Sequence, residues 1–322
     1  MNIVETLNQL NFTSLFLIFI ISKLLIETYL KIRNINSINK NKEKIPERFV
    51  EVVTDEEYKK SINYNIERIR FSVLASVFGV GVLLFFTIGG MLNNLTLFVQ
   101  GITGSNIVGA ILLGLLLIVI SEIIEIPLAI YSTFYIEEKY GFNKTTTKTF
   151  VTDLLKNLLI QSIFASILYA VVISIIENLG NNWWIYAFAA VFSLQLIIFY
   201  IYPVLILPLF NKFEPLEDEK FKKPIERLLE EISFKAKGLF VMDGSLRSSH
   251  GNAFFTGFGN NKRIVFYDTL LETITPDEME SILGHELGHY KLGHIRKTLI
   301  SSIFFGFAGF YFLGQVFQSE NF

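Results

Sequence analysis

Two histidines and a glutamate in the run Gly284-His285-Glu286-Leu287-Gly288-His289 have the types and spacing to activate water. The pattern is H-E-x-x-H. Residues four apart on a helix share a face, so His285 and His289 project together. Two imidazoles so placed can hold one zinc ion. Glu286 stands next to the first of them. It can take a proton from metal-activated water and so create a nucleophile near neutral pH. The chain has four histidines and no cysteine. Half of its imidazoles therefore fall in this one motif, and any metal site must be built from His and carboxylates.

That chemistry needs a helix, and the flanking residues supply one. Thr275 is a good N-cap, Pro276 suits the first helical position, and Asp277 favours the positive helix end. Glu278, three residues after Thr275, completes a capping box. No proline follows, so the helix is expected to run through both histidines. His294 invites comparison with a metzincin, where a Gly lies three and a third His six residues beyond the second His. Here Gly293 is four on and His294 five on, and no chain reversal is signalled between them. On a continuous helix five residues turn about 500°. His294 is therefore expected to point away from His289's face and to lie outside the ligand set, either at the surface or behind a ligand.

The rest of the chain reads as membrane. Of 322 residues 51% are hydrophobic, 32 are Phe and only 18% are charged, with a mean hydropathy of +0.46. Soluble domains carry roughly 25% charge. The net charge of −2 points away from nucleic acid. Six apolar stretches are long enough to cross a bilayer: about 11–30, 71–91, 107–130, 158–176, 183–209 and 298–317. The first has no small-residue cleavage site and reads as an anchor; Lys23 and Glu27 near its end are spaced to pair. Trp183 and Trp184 open the fifth, where interfacial tryptophans are expected.

All but one of the 28 Lys and Arg lie in segments 31–70, 137–156, 212–263 and 291–297, which six spans put on one side. The opposite loops, 92–106 and 177–182, contain none. The positive-inside rule then makes the basic side, with the H-E-x-x-H helix, cytoplasmic. Residues 31–70 read as a charged loop in which Thr54 could cap a helix with Glu57 at its third position. Glu122 and Glu125 in the third span are costly in lipid and read either as a polar chamber or ion-path wall or as a structural pair. Residues 210–297 form the one large hydrophilic stretch. They carry an amphipathic helix over 217–232, then short strands at 238–242, 252–258 and 263–267, the last two joined as a hairpin.

The runs Phe134-Tyr135-Ile136-Glu137-Glu138-Lys139-Tyr140-Gly141-Phe142-Asn143-Lys144-Thr145 and Asp243-Gly244-Ser245-Leu246-Arg247-Ser248-Ser249-His250-Gly251-Asn252-Ala253-Phe254-Phe255 carry a family likeness that continues into His285–His289. The chain resembles the CAAX prenyl protease 1 type, integral-membrane zinc metalloproteases that trim prenylated proteins. The resemblance implies an all-α multi-pass membrane protein with a small α+β protease segment on the cytoplasmic side. A membrane domain would span 1–210 and a zinc-metalloprotease domain 211–322. Membrane helices would enclose an aqueous chamber, and hydrolysis would occur near the C-terminus of a prenylated substrate. It implies His285 and His289 as zinc ligands, Glu286 as the catalytic glutamate, and Asn252, Ala253 and Phe254 as an edge that pairs with the substrate. Such an edge holds an extended peptide by main-chain hydrogen bonds. Arg247 and His250 could bind a carboxylate or oxyanion, or simply hold their turn together.

One departure stands out. The family's third ligand is a Glu in a Glu-x-x-x-Asp motif after a seventh span, and this sequence ends at Phe322 with Glu320 as its one carboxylate after His289. The expectation is that a C-terminal portion is missing. Two alternatives to a prenyl-protein protease follow: a membrane quality-control protease, and a non-catalytic membrane scaffold lacking the third ligand. A transporter reading could draw on Glu122 and Glu125 but leaves Glu286 between its two histidines without a role. The expected partners are a peptide or protein substrate and the lipid bilayer. The expected location is a bacterial inner membrane or the endoplasmic-reticulum membrane.

Overall fold

The computed structural model describes residues 12–232, 234, 236–256 and 262–317. Long apolar runs make the first half almost wholly helical. Helix α1 spans Phe12–Asn41 and α2 spans Asp55–Phe86. Then come a short α3 at Met91–Ile102, α4 at Asn106–Ile130 and α5 at Thr147–Asn178. Helix α6, Trp183–Ile201, closes this half. Proline loosens two of these helices. With Pro127 near its end, α4 continues into a wider π-helical stretch at Tyr131–Glu137. Past α6, with Pro203 in place, a similar stretch covers Tyr202–Ile206 before a last turn at Leu207–Phe210. Proline cannot donate its backbone hydrogen bond, and the ladder widens to accommodate it.

Among the described residues, five helices are long and apolar enough to cross a membrane: Asp55–Phe86, Asn106–Glu137, Thr147–Asn178, Gly180–Phe210 and His294–Phe317. The first expected span begins outside the described residues. Its remainder forms α1, where Lys23 and Glu27 lie 3.7 Å apart.

Two expected loops are instead helical. The charged stretch 31–70 is mostly an extension of α1 and α2, and only about 42–54 lies between them. At 32 residues α2 is about 48 Å long, well beyond a bilayer core of about 30 Å, so its charged first turns are the surplus. Thr54 starts it with a complete capping box to Glu57. The expected loop 92–106 holds α3, whose Val99 is buried. Charge argued for solvent in the first case and shortness for a loop in the second. Neither excludes a helix once it is capped or packed.

The chain forms two compact units: one runs through Phe98 and includes Ile124–Gly141, and the other holds Val99–Ile123 and the chain from Phe142 onward. In the first unit α1 packs along α2, and Lys31 donates to the Ser72 carbonyl at 3.1 Å and to Ser76 Oγ at 2.8 Å. The end of α4 is tied to α2 by Tyr64 donating to Glu137 at 2.7 Å. Lys139 and Tyr140 both donate to Glu67, at 2.6 and 2.7 Å. In the second unit α5 packs on α6, and α6 packs on the last helix, α10, at His294–Phe317. Gly314 permits that approach: a Cβ there would sit 2.4 Å from Trp184 Cδ1.

The hydrophilic stretch folds in the second unit. It contains β1 at Phe213–Pro215, α7 at Glu219–Glu231, β2 at Gly238–Met242, β3 at Ala253–Thr256 and β4 at Arg263–Tyr267. A short α8 at Asp268–Leu271 precedes α9 at Pro276–Lys291. The sheet order is β1-β2-β4-β3, with β2 and β4 parallel and the other pairs antiparallel. Strand β1 gave no period long enough to be read. The expected hairpin is present, with Phe254 opposite Val265. The third strand starts one residue later than expected, at Ala253, and its expected end at 257–258 and most of the turn lie outside the described residues. One core fastens this region: Phe221, Ile225 and Leu229 of α7, Ile264 and Phe266 of β4, and Met279, Leu283 and Leu287 of α9.

Candidate active site

Helix α9 starts as its sequence dictates. Thr275 Oγ1 accepts from the Glu278 amide, and the Glu278 carboxylate accepts from the Thr275 amide at 2.7 Å and its hydroxyl at 2.9 Å. These donors hold the Glu278 carboxyl below the usual carboxylate range. The buried positions Met279, Leu283 and Leu287 recur every four residues and lock one face of α9 into the core. His285 and His289 each follow a buried leucine by two residues, about 200° of helix rotation, so they face the other way. Both imidazoles are exposed and Glu286 is half-buried.

The two Nε2 atoms, of His285 and His289, are 3.1 Å apart. Two imidazole nitrogens about 2.05 Å from one tetrahedral zinc would be about 3.3 Å apart, so the pair fits such an ion. Glu286 has no hydrogen-bond or ion-pair partner among the described residues, which leaves its carboxylate available. No third His, Cys, Asp or Glu joins the pair in a metal-sized group among the described residues, and Glu320 lies outside them.

His294 is not where its spacing put it. Its Nδ1 lies 2.8 Å from His289 Nδ1, with the rings 4.8 Å apart. The 500° argument assumed an unbroken helix. In fact α9 ends at Lys291, Gly293 adopts φ +66, and α10 begins at His294. A left-handed residue after a helix is the usual reversal signal, and glycine adopts it without steric cost. Gly293 was the sign of a turn that sequence reasoning passed over.

Beside the histidine helix, β3 is an edge strand of the sheet. A cavity of about 720 Å³ opens there, lined by Phe254, Phe255 and Thr256 of β3, Tyr290 of α9, and Tyr202 and Leu299. Arg296 and Lys262 also face it. Lys262 stacks over the Phe234 and Tyr290 rings at 4.7 and 4.2 Å and donates to the Tyr290 hydroxyl. Of the three residues expected at the substrate edge, Phe254 lines this cavity and Asn252 and Ala253 do not. The cavity residues Tyr202, Tyr290 and Arg296 were not singled out from sequence. Tyr290 directly follows His289 of the H-E-x-x-H run, and Pro203 and Pro208 inside an apolar span were the signal near Tyr202.

Arg247 and His250 prove to be joints. Arg247 grips Asp153 through Nε at 2.7 Å and Nη2 at 3.0 Å, Asn211 through Nη1 at 2.7 Å, and the Phe210 carbonyl at 2.8 Å. Four of its five N–H donors are taken by these bonds, so its main work is to hold this junction together. The His250 ring stacks on Phe142 at 4.3 Å. The two sequence runs that carried the family likeness meet here. Ser249 donates to the Phe142 carbonyl, and both the Lys144 amide and Thr145 Oγ1 donate to the Arg247 carbonyl.

Comparison with known proteins agrees along the length of the chain. The profile of the CAAX prenyl protease N-terminal region, with five membrane helices, matches residues 34–212. That of peptidase family M48 matches residues 215–321. The probable CAAX prenyl protease 1 of Schizosaccharomyces pombe is 38% identical over 323 residues, which cover 94% of this chain and 68% of that protein. The CAAX prenyl protease 1 of Saccharomyces cerevisiae is 34% identical, covering 94% and 69%. The crystal structure of S. mikatae Ste24p aligns with a TM-score of 0.85 at 32% identity, over 94% of this chain and 72% of that one. A capped helix with two converging imidazoles, a sheet edge beside it and a set of membrane-length helices thus have one common explanation: the chain belongs to the CAAX prenyl protease 1 family, membrane metalloproteases of peptidase family M48.

Proposed function

We propose that the protein is a zinc endopeptidase that cleaves near the C-terminus of prenylated, CAAX-type proteins. The observation that carries this reading is the convergence of His285 and His289 on one point, 3.1 Å apart, with Glu286 beside them and unpaired among the described residues. His285 and His289 would hold the metal, as two of the three protein donors that a catalytic site normally uses. Zinc there supplies Lewis acidity, polarising a carbonyl and lowering the pKa of water. Glu286 accepts the proton of the attacking water and passes it to the leaving amine nitrogen. The free edge of β3, with Asn252, Ala253 and Phe254, holds the substrate as an added strand. The apolar cavity beside that edge suits a prenyl chain, which favours this reading over general membrane quality control.

Residues 1–210 act as the membrane domain and 211–322 as the protease domain. Helix α1 completes a six-span arrangement. The one-sided Lys and Arg distribution turns the site to the cytoplasm, from the endoplasmic-reticulum membrane or a bacterial inner membrane. The test is Glu286→Gln in the full-length protein. Bound zinc should stay at one per chain while hydrolysis of a farnesylated peptide falls at least ~10²-fold. Turnover equal to the parent would remove Glu286 from the mechanism. No zinc and no cleavage in a folded parent would instead favour a scaffold.

A further inference from the structure

We propose that a cleft on α2, separate from the residues of the proposed active site, binds an anionic glycerophospholipid of the surrounding bilayer. The cleft holds about 1100 Å³ and lies between α2 and the end of α4, within one compact unit. Its α2 wall is a single helical stripe whose character changes abruptly. Lys59, Lys60 and Arg70 line its early part, and Phe71 and Leu74 its later part. The facing wall runs the other way along the chain but shows the same change in space. Leu128 and Tyr131 of the α4 end are apolar, and Lys139 and Tyr140 beyond them are polar. The Phe71 and Tyr131 rings meet at 5.1 Å, so the apolar parts of the two walls are joined. Tyr140 and Lys139 meet Glu67, so the polar parts are joined as well.

The polar end carries positive charge in excess. Four cations, Lys59, Lys60, Arg70 and Lys139, stand against two carboxylates, Glu56 and Glu67. Glu67 is already engaged by Lys139 and Tyr140. Lys59 and Arg70 make no hydrogen bond or close ion pair among the described residues, although Arg70 is near enough to Glu67 for its charge to be felt there, and both residues are exposed. From Arg70 to Leu74 the helix rises about 6 Å. That is the scale on which a phospholipid passes from phosphate to acyl chain. A soluble anion would leave the Phe71, Leu74 and Leu128 surface unused. A hydrocarbon would leave two cations facing it. An anionic amphiphile satisfies both ends, and basic pockets between membrane helices are suited to acidic headgroups.

The experiment uses the full chain in nanodiscs of phosphatidylcholine with an equal share of phosphatidylglycerol, followed by native mass spectrometry. One phosphatidylglycerol should remain per chain in preference to phosphatidylcholine. Lys59→Gln with Arg70→Gln should lower its retention about 10-fold, corresponding to about 1.4 kcal/mol. Lys59→Arg with Arg70→Lys should retain it, which guards against a loss caused by misfolding. Equal retention of the two lipids overturns the proposal, as does an unchanged preference in the glutamine variant. Displacement of the lipid by millimolar glycerol 3-phosphate also overturns it, because the apolar half of the cleft would then contribute nothing.

Discussion

His294 Nδ1 lies 2.8 Å from His289 Nδ1, on the ring edge opposite the nitrogen that faces His285. If Nε2 of His289 holds the metal, its Nδ1 carries the proton and donates to His294. His294 then accepts at Nδ1 and carries its own proton on Nε2. Such a partner fixes both the tautomer and the ring plane of a ligand, and losing one typically costs 10–100-fold in metal affinity. His294→Ala should therefore weaken zinc binding by about 10–100-fold in a chelator competition assay. Gly293→Ala should act in the same direction, because its φ of +66 is costly for a residue with a Cβ. Zinc affinity unchanged in both variants would reduce the His294 contact to coincidence.

The cavity next to β3 makes a prediction about specificity. Leu299 of α10 is part of its lining and belongs to the helix after the H-E-x-x-H helix rather than to the motif itself. Leu299→Trp should fill space that a prenyl chain would occupy. KM for a farnesylated peptide should rise about 10-fold with kcat little changed, because a lost apolar contact of one or two kcal/mol weakens ground-state and transition-state binding alike. An unprenylated peptide should show no such rise. If both peptides respond equally, the cavity does not read the lipid.

Arg247 tests the alternative that the sequence left open between chemistry and architecture. Its side chain is only 27% exposed and that of Asp153 only 20%. Its bonds tie the loop after β2 to α5 and to the end of the α6 segment. Arg247→Ala should cost about 2 kcal/mol of stability, the order expected for charge-assisted hydrogen bonds lost from a sheltered site. Arg247→Lys should recover little, since an ammonium cannot reproduce the planar fork. Denaturant titration in detergent measures the loss. An unaltered midpoint together with a reduced kcat would return Arg247 to the chemistry.

What the sequence disclosed depended on the range of the signal. Thr275 and Glu278 announce the start of α9 because a capping box is complete within four residues. The membrane spans are legible because about 20 apolar residues admit little else. His285 and His289 are paired by helix geometry alone. The misreadings have two physical causes: some deciding contacts lay far off in the chain, and some local backbone choices are permitted by the sequence without being required. Residues 31–41 looked like loop because they are charged, yet helices longer than the bilayer continue into polar surroundings without penalty; from 55 on, the Thr54–Glu57 cap did mark the helix start. Arg247 could be weighed two ways because its partners Asp153 and Asn211 are 94 and 36 residues away. The direction of His294, though not its place outside the ligand pair, was misread because of a single glycine whose backbone angle the sequence permits but does not require. Strand β1 has three residues, too few to show a period, and exists because β2 offers it an antiparallel edge.

The α9 cap gives a pH-dependent prediction whose sign can be worked out. The Thr275 amide and hydroxyl donate to Glu278 and hold its carboxyl below the usual range. A depressed folded-state pKa means that the ionised form is preferred in the native helix. The stabilisation is thus fully present above the unfolded carboxylate value of about 4.3 and is lost as pH falls through the lower folded value. Thr275→Ala should cost about 1 kcal/mol at neutral pH, seen as roughly 5-fold faster hydrogen exchange in the first turn of α9 if that turn opens locally. Glu278→Gln should also speed exchange at pH 7, and its difference from the parent should shrink as the pH drops below about 4. A difference that instead grew on acidification would mean that Glu278 is stabilised in its protonated form, contrary to the bonds it makes. Because Met279, Leu283 and Leu287 anchor the remainder of the helix in the core, exchange at His285 and beyond should change little in either variant. The cap then sets where the helix begins, and the core sets where its histidines point.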